Sequence, residues 1–220
     1  MSAVPVLAVN TARAKHYAMQ RLRSQFAVAL ILLFSLLSIA VGTAGPGRSE
    51  SLVELLQKPG HVAFMRHAWA PFEGAPKSEA VSAETLGPCG TQRNLDDKGR
   101  ADARRLGDVL RQAGVMFDAV YTSKWCRCRE TAELITGTSV DNLPLINSFY
   151  TNPDKSVGPK QIAALKRYLN EPSALSARML MVTHGSLITA LTGIDTNETE
   201  IVIVKPTGNG GIEVVGRGTL

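Results

Sequence analysis

The stretch His61-Val62-Ala63-Phe64-Met65-Arg66-His67-Ala68 decides how this chain is read. Its apolar run is long enough for one buried strand and too short for a helix, and Pro59-Gly60 interrupts the chain just before it. An arginine and a histidine therefore leave the end of a buried strand side by side. A second run, Met179-Leu180-Met181-Val182-Thr183, is followed at once by His184-Gly185. A third strand segment, Asp118-Ala119-Val120-Tyr121-Thr122, leads into Ser123-Lys124-Trp125-Cys126-Arg127-Cys128-Arg129-Glu130-Thr131-Ala132, where a helix is expected to begin. Ligands bind outside the carboxyl ends of strands in open α/β sheets, and the N-terminus of a helix already favours an anion. A lone histidine after a strand is more often a structural hydrogen-bonding residue. Two at one edge, with arginines beside them, point to chemistry on phosphorus.

The rest of the chain alternates strand and helix. Ser51 to Lys58 reads as a lead-in helix, and Ala68 to Leu95 as an irregular loop over the site. Asp96 caps a helix over Asp97 to Ala113, with Ala101, Leu106, Val109 and Leu110 as its apolar stripe and Gly114 as its stop. The helix of the third segment runs to about Thr136. Leu143 to Phe149 suggests a short strand, Gly158 to Asn170 a helix, and Glu200 to Lys205 with Ile212 to Val215 a terminal hairpin. This alternation predicts an α/β fold with helices on both faces of a sheet.

The first 44 residues contain Arg13, Lys15, Arg21 and Arg23 but no acidic residue, and Phe26 to Val41 is uncharged. Gly42-Thr43-Ala44 then offers small residues where a signal peptidase reads, so residues 1–44 read as a secretory signal cleaved after Ala44, with Met19 an alternative start. The apolar segment is shorter than the roughly 20 residues a spanning helix prefers; left uncleaved, it would anchor the protein to a membrane. Residues 45–220 then form a single domain, secreted or periplasmic, with no stable membrane insertion after processing. Four of the charges behind the overall +5 lie in the signal, which leaves no argument for nucleic-acid binding by the remainder. All three cysteines, Cys89, Cys126 and Cys128, lie beyond the signal and enter a compartment that permits disulfides. Cys126 and Cys128 are too close in sequence to pair comfortably, so a bridge is expected from Cys89 to Cys126 or Cys128. No Cys-x-x-Cys pair suggests zinc.

Taken together, Arg66-His67, Ser123 to Ala132 and Thr183-His184-Gly185 resemble the histidine phosphatase superfamily, which includes phosphoglycerate mutases and acid phosphatases. The family's first motif is usually Arg-His-Gly, and Ala68 replaces the glycine here. Its second, roughly Ser-Pro-Leu-x-Arg-Ala-x-Gln-Thr-Ala, is matched by Ser123, Arg127, Thr131 and Ala132, with Glu130 for the amide; Lys124, Trp125 and Cys128 depart from it. Gln92-Arg93-Asn94-Leu95-Asp96-Asp97-Lys98-Gly99 resembles the segment that closes the active-site loop, and the likeness runs from about His61 to about Leu191. It implies a three-layer α/β/α sandwich around a mixed, mostly parallel sheet, as in phosphoglycerate mutase. It also implies an enzyme without metal or other cofactor.

In this reading neutral His67 attacks phosphorus through one ring nitrogen while a backbone carbonyl holds the other. Arg66 and Arg127 clamp the oxygens, His184 adds a further cation if its neighbourhood is anionic, and Gln92 and Arg93 border the substrate. The general acid is open: Glu73 and Asp154 are equal candidates, with Glu79 near the first, while Gly185-Ser186 excludes an acid directly after the second histidine. The function implied is an exported phosphatase for a phosphorylated small molecule or envelope sugar. The alternative is a catalytically idle relative that only binds a phosphate ligand.

Overall fold

Alternation along β1 (Val62–Arg66) supplies both halves of the core. Val62 and Phe64 point to one face of the sheet, Ala63 and Met65 to the other, and all four are buried. The structure is a computed structural model and describes residues 50–75 and 83–220. The expected signal over residues 1–44, its cleavage site, Met19 and Glu79 lie outside the described residues.

The described elements begin with α1 (Leu52–Leu56), closed at its start by a capping box between Ser51 and Glu54, followed by β1. Then come α2 (Asp97–Gln112), β2 (Ala119–Thr122), α3 (Cys126–Thr136), β3 (Asp141–Asn142) and α4 (Val157–Leu169). The chain ends with α5 (Pro172–Ser176), β4 (Met179–Thr183), α6 (Gly185–Thr192), β5 (Ile201–Pro206) and β6 (Ile212–Gly218). The strands form one sheet in the order β3-β2-β4-β1-β5-β6. The first four are mutually parallel; β5 runs antiparallel to β1 and to β6. One face packs Ala63, Met65, Leu180 and Val182 against α1, α2 and α3 through Leu55, Leu106, Leu110 and Ile135. The other packs Phe64, Met181 and Val202 against α4 and α6 through Leu165, Leu169, Leu187 and Ile188. That is the three-layer sandwich expected, around a mixed, mostly parallel sheet.

Two expectations change. Leu143 to Phe149 is not a strand: β3 lies just before it, and Pro144, which has no N–H to give a ladder, opens a single 3-10 turn over Pro144–Ile146. Residues 185–192 carry no predicted element beyond the histidine motif at their start, yet they form α6. The cysteines resolve as a Cys89–Cys126 disulfide, with Cys128 outside the bridge and buried. The bridge joins positions 37 apart, a loop worth about 4 kcal/mol in the chain-entropy account.

The loop after β1 is seated on α2 by a close approach. Asp96 caps α2, its carboxylate accepting from Gly99 N at 2.8 Å. A Cβ at Gly99 would stand 2.0 Å from the carbonyl oxygen of Trp69. Only glycine lets that backbone, two residues past His67, lie on the first turn of the helix.

Candidate active site

His67 leaves the end of β1 with its N–H donating to Thr183 O at 3.0 Å, so the ladder with β4 holds its backbone. Its Nδ1 lies 2.8 Å from the carbonyl oxygen of Ala68. A carbonyl only accepts, so Nδ1 carries the proton and Nε2 keeps its lone pair. Arg127 Nε donates to that nitrogen at 3.2 Å. Burial lowers the His67 pKa well below 6.5, and the positive charge of Arg127 lowers it further; Arg93 and Arg66 act in the same direction, and only the Ala68 hydrogen bond opposes them. The imidazole is neutral, with its Nε2 lone pair turned into a cluster of guanidinium groups.

Arg66, the last residue of β1, is gripped by the turn before β5. Its Nη1 donates to Thr196 O at 2.6 Å and its Nη2 to Glu198 Oε1 at 2.7 Å. Arg127 sits in the first turn of α3, buried, and its Nη1 donates to Arg93 O at 3.3 Å. Thr131 joins the two motifs: its hydroxyl accepts from Ala68 N at 3.1 Å and donates to Arg127 O at 2.6 Å. The Arg93 guanidinium lies over the ring of Phe72, 4.1 Å from its centre, and donates to Ala70 O.

His184 ends β4 and begins α6. Its Nε2 is 2.8 Å from Ser123 Oγ, and its ring meets those of Trp125 and His67 edge-on at 5.2 and 5.7 Å. Asn147 supports this corner, accepting from Lys124 N at 2.8 Å and from Ser123 Oγ at 3.4 Å. Burial again lowers the pKa well below 6.5, followed by Arg127, His67, Arg93 and Arg66. The expected cationic His184 is therefore corrected for the ligand-free protein. Its neighbours are positive, not anionic, and together with burial they favour the neutral imidazole.

These side chains line a cavity of about 350 Å³ that opens to solvent past Phe72 and Tyr150. The model of the histidine phosphatase superfamily, branch 1, matches residues 62–147. Over those residues the chain is similar to that superfamily. A search of curated protein sequences finds no match. Among solved structures, the protein histidine phosphatase SixA complexed with tungstate is similar at 20% identity, covering 72% of this chain and 96% of its own, with a TM-score of 0.52. YhfR of Bacillus stearothermophilus is 18% identical over 73% of this chain and 97% of its own, TM-score 0.53. A phosphoserine phosphatase of Entamoeba histolytica in complex with 3-phosphoglyceric acid is 15% identical over 73% and 97%, TM-score 0.51. These likenesses bear on the fold.

Of the residues expected at a histidine phosphatase site, the structure brings Arg66, His67, Arg93, Arg127 and His184 into the cavity lining. It does not bring Gln92 there: Nε2 donates to Gly87 O at 2.8 Å and Oε1 accepts from Cys126 N at 2.9 Å, so the side chain braces the loop against α3. Nor does it bring either candidate acid. Glu73 is exposed on the loop, and exposed Asp154 accepts from Ser156 N at 2.8 Å ahead of α4. Glu198 and Thr196, which hold Arg66, are absent from the sequence-based expectation. They are 132 and 130 residues away in sequence and carry no local signal.

The two buried neutral histidines give stability a pH dependence. Their folded pKa values lie below the unfolded 6.5, so below about that pH the unfolded chain binds more protons than the folded one. Their contribution is complete above pH 6.5 and is lost as the pH falls through that value toward the folded pKa values. Urea titrations of the ligand-free protein should show stability declining between about pH 6.5 and 5, ahead of ordinary carboxylate protonation. A flat profile over that interval would mean that these imidazoles are already charged in the folded state.

Proposed function

We propose that this protein is an exported phosphatase that hydrolyses phosphomonoesters through a phosphohistidine on His67, with Arg66 and Arg127 holding the phosphoryl oxygens. One observation carries the reading: the carbonyl of Ala68 fixes the proton on His67 Nδ1, which leaves Nε2 unprotonated and facing the arginines. A dianionic phosphate repels an anionic nucleophile, so a neutral imidazole in a positive pocket suits it. Binding would also reverse the field at His184 and favour its protonation against the phosphoryl oxygens. The tungstate complex of SixA, a tetrahedral oxyanion bound by a protein of this fold, supports the same assignment.

The mature protein should hydrolyse 4-nitrophenyl phosphate in excess chelator, and vanadate or tungstate should inhibit it competitively. The cations proposed are side chains, and among the described residues no cluster of three or more metal-ligating side chains exists. Loss of activity on chelation, restored by a divalent metal, would overturn the mechanism. The idle-relative reading is favoured by the lack of a carboxylate in the cavity lining among the described residues; binding of vanadate without hydrolysis would establish it.

The proposal of export rests on the segment at residues 1–44 and is supported by the Cys89–Cys126 bridge, which suits an oxidising compartment. No helix among the described residues is long and apolar enough to cross a membrane. Mass spectrometry of the processed protein should find Gly45 as its first residue. Recovery of the intact Phe26 to Val41 segment in membranes would show an anchored enzyme instead.

A further inference from the structure

The cavity lining is rich in cations and, among the described residues, holds no carboxylate. Arg66, Arg93 and Arg127 all contribute to it, and the acidic group attached to this set, Glu198, is engaged by Arg66 Nη2 at 2.7 Å. The proton-bearing groups facing the cavity include the hydroxyls of Ser148, Tyr150, Thr151 and Ser186. An alkyl monoester leaves as an alkoxide, a strong base, and its hydrolysis depends on a proton delivered as the P–O bond breaks; such an acid is worth about 10²- to 10⁴-fold. The chain spends its polar side chains at this site differently. It adds a third guanidinium, that of buried Arg93, held against the exposed ring of Phe72.

We propose, building on the phosphatase reading above, that the preferred substrate is an organic diphosphate, from which the enzyme removes the terminal phosphoryl group. The lone pair of His67 Nε2 forms the new N–P bond to the terminal phosphorus. The bond from that phosphorus to the bridging oxygen breaks, and its electron pair stays on the bridging oxygen of the departing monoester. That oxygen becomes part of a phosphate whose second pKa is about 6, so it departs as an anion and needs no proton from the enzyme. Arg93 meets the charge that develops on it, as a preorganised cation does for any departing anion. Water then attacks the phosphohistidine: an O–P bond forms, the N–P bond breaks with its pair returning to Nε2, and the water's protons pass to phosphate and solvent. Phe72 and Tyr150, exposed by 76% and 74%, offer aromatic surface at the mouth to the group that the diphosphate carries.

ADP and AMP test this directly, because they carry the same organic group and differ in offering an anhydride or an ester. With the mature protein in chelator, kcat/KM for ADP should exceed that for AMP by about 10²- to 10⁴-fold, the share an acid would have supplied. Comparable rates on the two would overturn the proposal and leave the phosphatase reading intact; failure to hydrolyse 4-nitrophenyl phosphate as well would remove both. Glu73→Gln, Glu79→Gln and Asp154→Asn should each leave the AMP rate unchanged, whereas a collapse in any of them would reveal a proton donor and overturn the inference. Arg93→Gln should lower the ADP rate about tenfold more than the 4-nitrophenyl phosphate rate, as expected for one charge-assisted contact to the leaving group. That ratio is unaffected by partial loss of folded protein, and equal losses on both substrates would count against the leaving-group role.

Discussion

His67→Ala is expected to lower turnover of 4-nitrophenyl phosphate by about three orders of magnitude or more, since covalent catalysis leaves no second nucleophile to fall back on. The reason is geometric. Of the two histidines in the cavity, His67 has one nitrogen committed to a backbone carbonyl and the other turned to Arg127, whereas His184 Nε2 is engaged with Ser123. Rapid quenching at alkaline pH should trap an acid-labile phosphoryl label on the wild type and none on the variant. A variant that kept substantial activity, or a label on His184, would reassign the nucleophile.

Arg127→Ala should impair kcat/KM by a comparable factor of about 10² to 10³, as loss of a preorganised charge-stabilising donor does, while Arg129→Ala should act weakly. The two are separated along α3 by about 200° of rotation, and the structure shows the result. Arg127 is buried at His67, and Arg129 is exposed, with Nη2 3.1 Å from the sulfur of Cys89 on the far side of the disulfide. Kinetics on the two variants, with thermal melts to confirm folding, decide between them. A stronger effect from Arg129 would mean that the substrate lies on the other face of the helix.

The parts of this site visible in the sequence are those fixed by short-range rules. Buried parallel strands must be apolar throughout, so β1 and β4 stand out, and the residues directly after them are placed without further information. The cap at Asp96 and the start of α3 are equally local. What escapes is long-range or marginal. The edge strand β3 has two exposed residues and no apolar pattern to announce it. Helix α6 does have a signal, Leu187, Ile188 and Leu191 at helical spacing, but it is overshadowed by the motif residues at its start. The choice of Cys126 over Cys128 depends on which face of α3 meets the loop: Cys128 lies against Thr183 and His184 under the sheet end. The charge of His184 is not legible in the sequence because it is set by cations converging from β1, α3 and the 83–95 loop. Such a field exists only once the sheet is assembled.

The strand order carries a consequence for the timing of synthesis. β1 and β2 do not touch each other; β4 lies between them and pairs with both. A ribosome therefore has to complete Met179–Thr183 before the two halves of the sheet can join, and β5, the other neighbour of β1, comes later still. Until then the nascent chain offers unpaired strand edges and only local helices, the situation in which chaperones or an export apparatus compete best with collapse. The cluster around His67 cannot be completed before that point, because His184 follows directly on the strand that joins the two halves of the sheet.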